Sequence, residues 1–316
     1  MKNRGYTLLE LLGVIVILAL LTTLVFPSVL NAIKKSSNQT DKLSMDLISN
    51  AADLYIENNV NDFKKRNGSK FIIEIDELIE DGNLPSSVKI SDIDNIEDKC
   101  VQVIYINNKY TYELKDNGAC EYFLALPEEY QQVEYIESTG TQYIDSGLII
   151  SNGYQVELKA QMIGDYSAET WFLGNWNKSP RAGYLIGAYK NYLQVVSGND
   201  SEDYYGRIPY DEEIHTYSIL NDKIIIDETI FNVNLDYDLV SNITGNLLIG
   251  KSLHINTSQY SKNIYYLKIW DKNNNLVKHF IPCYRKSDNE IGMYDLVNDV
   301  FYENAGTGTF VKGKDI

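Results

Sequence analysis

Met1-Lys2-Asn3-Arg4-Gly5-Tyr6-Thr7-Leu8-Leu9-Glu10 opens the chain and leads into an apolar run that continues to Phe26 and is closed by Pro27. A short basic head followed by about 21 apolar residues extends about 30 Å as a helix, the thickness of a bilayer's hydrocarbon core. A secretory signal has a shorter apolar region with a small-residue cleavage site beyond it. Here the small residue near a processing position, Gly5, precedes the run. Glu10 stands inside the apolar segment, where a carboxylate costs at least about 3 kcal/mol and marks a functional position.

Gly5-Tyr6-Thr7-Leu8-Leu9-Glu10, the apolar run and Pro27 resemble the start of a type IV prepilin. The resemblance covers the first 33 residues. It implies that a prepilin peptidase cuts between Gly5 and Tyr6 and methylates the new amino terminus. It also implies that Glu10 is the assembly glutamate and Pro27 the helix-bending proline. Tyr6 stands where the family most often has phenylalanine; both are aromatic, so processing is expected to survive. In a filament core Glu10 can meet the freed ammonium of Tyr6 on a neighbouring subunit, which offsets the burial of both charges and penalises a slipped register.

Downstream of Pro27 the apolar residues thin to a stripe, Val29, Ile33, Leu43, Leu47, Leu54 and Tyr55, at roughly helical spacing. We therefore expect one long bent helix whose second half lays this stripe on a soluble domain. Asn67-Gly68 ends it, and Ile75 to Pro85 predicts a short helix closed by Gly82. That segment is similar to one in pilins and pseudopilins of Gram-positive bacteria. Val101–Ile106 and Tyr110–Leu114 read as a β-hairpin turned at Asn107-Asn108-Lys109, flanked by Cys100 and Cys120. An exported chain permits a disulfide between these cysteines, with Cys283 left as a buried strand residue.

Residues 121–132 contain Pro127 and no clear period, and are expected to be a linker. Beyond Val133 short alternating segments recur every ten residues or so between Gly, Asn and Asp, which predicts an all-β sandwich. Among them are Gln155–Ala160, Tyr184–Ala188, Tyr192–Val196, Thr216–Leu220, Ile264–Trp270, Leu276–Ile281 and Tyr294–Val297. The strings Glu134 to Gly147, His215 to Ile219, Leu248 to Gly250 and Ile264 to Phe310 resemble a concanavalin A-like or laminin G-like jelly roll. That likeness implies glycan or protein binding and, in some relatives, glycoside hydrolysis; the fold alone does not choose. The expected architecture is thus multidomain α+β: a leader at 1–5, a pilin-like domain at 6–120 with a membrane-spanning or filament-core helix at 6–26, the linker, and a jelly roll at 133–316.

A formal net charge of −16 and no basic stripe argue against nucleic acid as a partner. The carboxylate spacing used by hydrolases of this fold is missing, and His215, His254 and His279 lack metal-ligand spacing, so the chain is not expected to be an enzyme. Candidate ligand residues are aromatic rings beside amides and acids: Asn175, Trp176 and Asn177 in one string, Tyr189 and Tyr192 in another, and Tyr205. Trp171 and Phe172 read as core. No cofactor is required, calcium being the one cation entertained, and Asp145 before Ser146-Gly147 reads as a turn former rather than a calcium ligand. The expected function is a minor type IV pilus subunit with a lectin-like adhesive head, held by the cytoplasmic membrane before assembly and on the cell surface after it. Alternative readings are a pseudopilin of a type II secretion or DNA-uptake system and a tethered glycan hydrolase.

Overall fold

The computed structural model describes residues 41–88, 95–150, 153–164, 169–178, 181–199, 203–220, 223–232, 243, 245–252 and 261–316. Gly5, Tyr6, Glu10, Pro27 and the apolar run lie outside these residues. Among the described residues no helix is long and apolar enough to cross a membrane. The chain divides into two compact units, one ending at Ala125 and the other beginning at Leu126.

In the first unit, residues 41–58 form a helix, α1. Then follow β1 (Lys70–Glu74), the short α2 (Ile75–Glu80), a 3-10 turn, β2 (Lys99–Ile106) and β3 (Lys109–Asp116). The three strands make one antiparallel sheet in the order β1-β2-β3. The β2–β3 turn is Asn107-Asn108, both at positive φ (50° and 61°), the left-handed pair that a two-residue hairpin requires and asparagine tolerates. β1 was not expected. Its five residues, buried alternately at Phe71 and Ile73, run straight into α2, so no turn residue separates strand from helix.

The face of α1 also differs from expectation. Ser44, Ile48, Ala51, Ala52 and Ile56 are buried, whereas Leu43, Leu47 and Leu54 are 61, 42 and 50% exposed. Two adjacent alanines have no side chain beyond Cβ, which suits the buried side of a closely packed helix and leaves the bulkier leucines outside. The tail after β3 returns to the sheet. Cys100 and Cys120 are bonded, with Cα atoms 6.3 Å apart. Beside them the Gln102 amide donates to the Phe71 and Glu121 carbonyls (2.9 and 2.8 Å) and accepts from Glu121 N–H (2.7 Å). Phe123 bridges to Lys70 at the sheet edge, and residues up to Ala125 of the expected linker belong to the first unit.

The second unit begins with β4 (Tyr130–Gln132), paired to a distant strand rather than free, then β5 (Ile136–Ser138), β6 (Ile144–Asp145) and β7 (Gln155–Met162). β8 (Thr170–Gly174), β9 (Asn177–Lys178), β10 (Arg181–Tyr189), β11 (Tyr192–Asn199) and β12 (Asp203–Pro209) follow. After them come β13 (Ile214–Ile219), β14 (Lys223–Ile226), β15 (Thr229–Asn232) and β16 (Leu248–Ile249). β17 (Lys262–Trp270), β18 (Leu276–Arg285), β19 (Glu290–Asp295), β20 (Val300–Tyr302) and β21 (Val311–Lys312) complete the unit.

One antiparallel sheet runs β12-β11-β10-β8-β16-β6, and the other runs β15-β14-β13-β7-β17-β18-β19-β20. β7 shows why they share a core. Val156, Leu158, Ala160 and Met162 alternate with Gln155, Glu157, Lys159 and Gln161, so a period of two drives one face inward. That face meets Phe172, Tyr184, Ile186 and Val195 of the first sheet in a single apolar cluster.

Expected strand ends moved where a side chain caps a turn. Buried Asp295 accepts from His279 N–H (3.1 Å), Val297 N–H (3.2 Å), Asn298 Nδ2 (2.7 Å) and Lys278 Nζ (2.9 Å). It therefore ends β19, and Leu296 and Val297, expected in the strand, belong to the turn.

Candidate binding face

Alternation along β10 and β11 sends Ala188 and Leu193 into the shared core and turns Tyr189 and Tyr192 to the opposite face. The two tyrosines are directly paired across the strands, and the Lys190-Asn191 turn between them has φ of 50° and 65°. Tyr192 is 45% exposed and Tyr189 is half-buried. Lys190 Nζ lies 4.8 Å from the Tyr189 ring centroid, a cation–π contact at the tip of the hairpin.

The next row on the same face is Gly187, Gln194 and Arg207, neighbours in register. Arg207 Nε donates to Gln194 Oε1 at 3.0 Å, which orients an exposed guanidinium beside the tyrosines. Gly187 has to be glycine, since a Cβ there would lie 2.1 Å from the Thr170 carbonyl oxygen and 2.9 Å from Trp171 Cε3. The bulge at this point brings the Trp171 indole against the Gly187 backbone. This tip therefore combines aromatic planes and two cations on a strongly acidic chain, with the Gln194 amide buried as the anchor of Arg207.

Further along, Trp171, Trp176, Leu185 and Val196 form a second apolar cluster. Trp176 is only 6% exposed and offers no open ring. Asn175 Oδ1 accepts from Tyr184 N–H at 3.0 Å, so this amide extends the β8–β10 pairing, and Asn177 is buried in β9. Asn175 Nδ2, Trp171 Nε1 and Ser252 Oγ are buried and find no hydrogen-bond partner among the described residues. Each such group costs about 1–3 kcal/mol.

The candidate residues named from the sequence therefore fall into two groups. Tyr189 stands five positions along β10 from Tyr184, beside Asn175, which is about 16 Å at strand rise. Tyr205 pairs with Val196 through its backbone, and its side chain lies outside the described residues. Gln194 and Arg207 escaped sequence reasoning. The signal for them was their cross-strand register, which needs the hairpin lengths to be known.

Asp145 Oδ1 accepts from Gly147 N–H (3.0 Å) and Asn246 Nδ2 (2.9 Å), the contacts of a turn former. Among the described residues no cluster of three His, Cys, Asp or Glu side chains is arranged to hold a metal. Cys283 is buried and unbonded, and burial pushes its thiol up to about 12. His254 lies outside the described residues. His279 is held at about 4, mainly by burial. His215, which looks isolated in the sequence, stands between Asp211 and Asp227.

Residues 1–26 match the prokaryotic N-terminal methylation motif. The chain thus has a type IV prepilin-like N-terminus, that of a pilin- or pseudopilin-like surface or secretion protein, and a mostly β remainder. The motif implies processing by a prepilin peptidase and insertion in the membrane before assembly with other pilin subunits. No curated protein matches the chain.

Proposed function

We propose that this chain is a minor type IV pilus subunit whose two-sheet unit is a jelly-roll head that binds glycans or surface proteins in adhesion. The methylation motif at residues 1–26 supports the assembly half of this reading. The exposed leucines of α1 add to it, because Leu43, Leu47 and Leu54 follow that segment in sequence and offer apolar surface to a neighbouring subunit's helix. The observation that carries the recognition half is the Tyr189–Tyr192 pair beside Gln194 and Arg207. Aromatic planes with an exposed guanidinium beside them suit the apolar face and hydroxyls of a sugar ring, and buried Gln194 holds that guanidinium in place. The role is one of binding, not catalysis, and needs no bound cofactor. "Minor" rests on the size of the head, since residues 126–316 would crowd every subunit of a thin filament.

Glu10→Ala tests the assembly half. It is expected to spare membrane insertion and folding of both units while reducing recovery in sheared filaments at least about tenfold, the cost of losing a partner for a buried charge. Wild-type recovery would remove Glu10 from assembly. Glycan-array binding by the full chain in detergent, with and without calcium, tests the recognition half. A pseudopilin shares the motif, and loss of secretion or DNA uptake with adhesion intact in a strain lacking the head would favour it.

A further inference from the structure

Both ring nitrogens of His215 face carboxylates: Nδ1 lies 2.6 Å from Asp227 Oδ2 and Nε2 lies 2.6 Å from Asp211 Oδ1. Carboxylates only accept, so both contacts are hydrogen bonds only when both nitrogens carry protons. A neutral imidazole would leave one lone pair against a carboxylate oxygen. The geometry is therefore that of an imidazolium clamped between two anions, one drawn from each neighbouring turn.

Each carboxylate is anchored a second time. Asp227, at φ 52° in the β14–β15 turn, accepts from Thr216 N–H through Oδ1 at 2.9 Å. Asp211 lies in the connection from β12 to β13, where the Glu213 N–H donates to its Oδ1 at 3.0 Å. One residue earlier in that connection, Tyr210 N–H donates to the Asn191 carbonyl at 3.0 Å, and Tyr210 Oη donates to the Gly164 carbonyl at 2.9 Å. Pro209 pairs with Tyr192. A continuous set of contacts thus runs from His215 through Asp211 and Tyr210 to the turn between the two tyrosines.

We propose that His215 and Asp211 form a protonation-dependent latch that fixes the Tyr189–Tyr192 tip by way of Tyr210. The importance of the latch rests on the reading of that tip as a binding face; its mechanics do not. Among the described residues the titratable groups facing His215 are Asp211, Asp227 and Tyr217, whose ring centroid is 6.0 Å away. β7 presents Ala160 opposite it. Burial keeps the Tyr217 hydroxyl neutral by raising its pKa far above the usual value, so it adds no competing charge. Burial pulls the His215 pKa down, but hydrogen bonds to Asp227 and Asp211 and their charges outweigh it, and the net direction is up. A raised histidine gives stability that is complete below the unfolded value of about 6.5 and is lost as pH rises through the folded value. The latch is closed in acid and released in base.

Hydrogen exchange of the full chain in detergent, corrected for intrinsic rates, reads the latch without any ligand. Between about pH 6 and about pH 9 the peptide containing Tyr210 is expected to lose at least about tenfold protection, while peptides from β7 and β17 stay protected. His215→Gln should hold the Tyr210 peptide at the low value at both pH values. Asp211→Asn, which keeps the Asp227 contact, should also abolish the pH step. Equal wild-type protection at both pH values, or a pH step that persists in His215→Gln, overturns the latch. The binding reading fails separately: a pH step together with no glycan or protein bound upholds the latch alone, and binding lost in Tyr192→Ala without a pH step overturns the latch alone.

Discussion

The three-stranded unit closes its sheet with a covalent bond between Cys100 and Cys120, whereas the two-sheet unit keeps its single cysteine, Cys283, reduced and buried in β18. The difference follows from how much each can bury. One sheet with one helix face has a small core, and small domains gain most from a staple. The larger unit gathers apolar residues from both of its sheets into one cluster and pins its turns with Asp295 and Asp271. The larger unit is held by its own two-sheet core without a disulfide among the described residues. The three-stranded unit leaves three leucines of α1 exposed.

The largest test of this contrast is Phe172→Ala. Phe172 is fully buried between the sheets against Tyr217, at 5.6 Å between ring centroids, and its truncation should cost about 3–5 kcal/mol. All three tryptophans lie in the two-sheet unit, so urea unfolding followed by tryptophan fluorescence should report the loss. Exchange in β1–β3 should not change. If both units melt together, their independence is wrong.

Replacing Cys100 and Cys120 with serine should act on the other side. The bond closes a separation of 20 residues, for which about 3 kcal/mol is expected from chain entropy, confined to β1–β3 and leaving the fluorescence transition in place. Thiol counting gives the matching readout. Native chain should take up no iodoacetamide, unfolded unreduced chain one equivalent, and unfolded reduced chain all 3. Labelling of Cys120 in unreduced protein would break the comparison.

The smallest expected change in stability belongs to Tyr192→Ala, within about 0.5 kcal/mol because the side chain is half exposed at a hairpin tip. Affinity for whatever the head binds should nevertheless fall about tenfold or more, as for an aromatic anchor. A Trp176→Phe control should leave affinity unchanged, since that ring is enclosed. The reverse pattern would move the binding face to the Asn175–Asn177 end.

Much of this was legible beforehand where chemistry is local. The apolar run with Glu10, the alternation in β7, the Asn107-Asn108 turn and the cysteines flanking a hairpin each declare themselves within a few residues. Other features were not local. Hydropathy marks Leu43, Leu47 and Leu54 as strongly as Ile48, and only tertiary packing chose the alanine side. Trp176 beside two asparagines has the composition of a sugar platform, yet it is enclosed. Asp211 is a local partner four residues before His215, whereas Asp227 is twelve after it and only the β13–β14 pairing closes it on the ring.

The amino-acid sequence by itself determined the prepilin-like start, the β texture of the remainder, the cysteine pair and the tyrosine hairpin, because periodicity, turn residues and motif spacing act over neighbouring positions. Tertiary structure decided which side of α1 is buried, which aromatic residues stay in water, and that His215 is clamped between two acids. Those outcomes depend on segments far apart in the chain being brought to contact distance, and burial and hydrogen-bond partners exist only once that has happened.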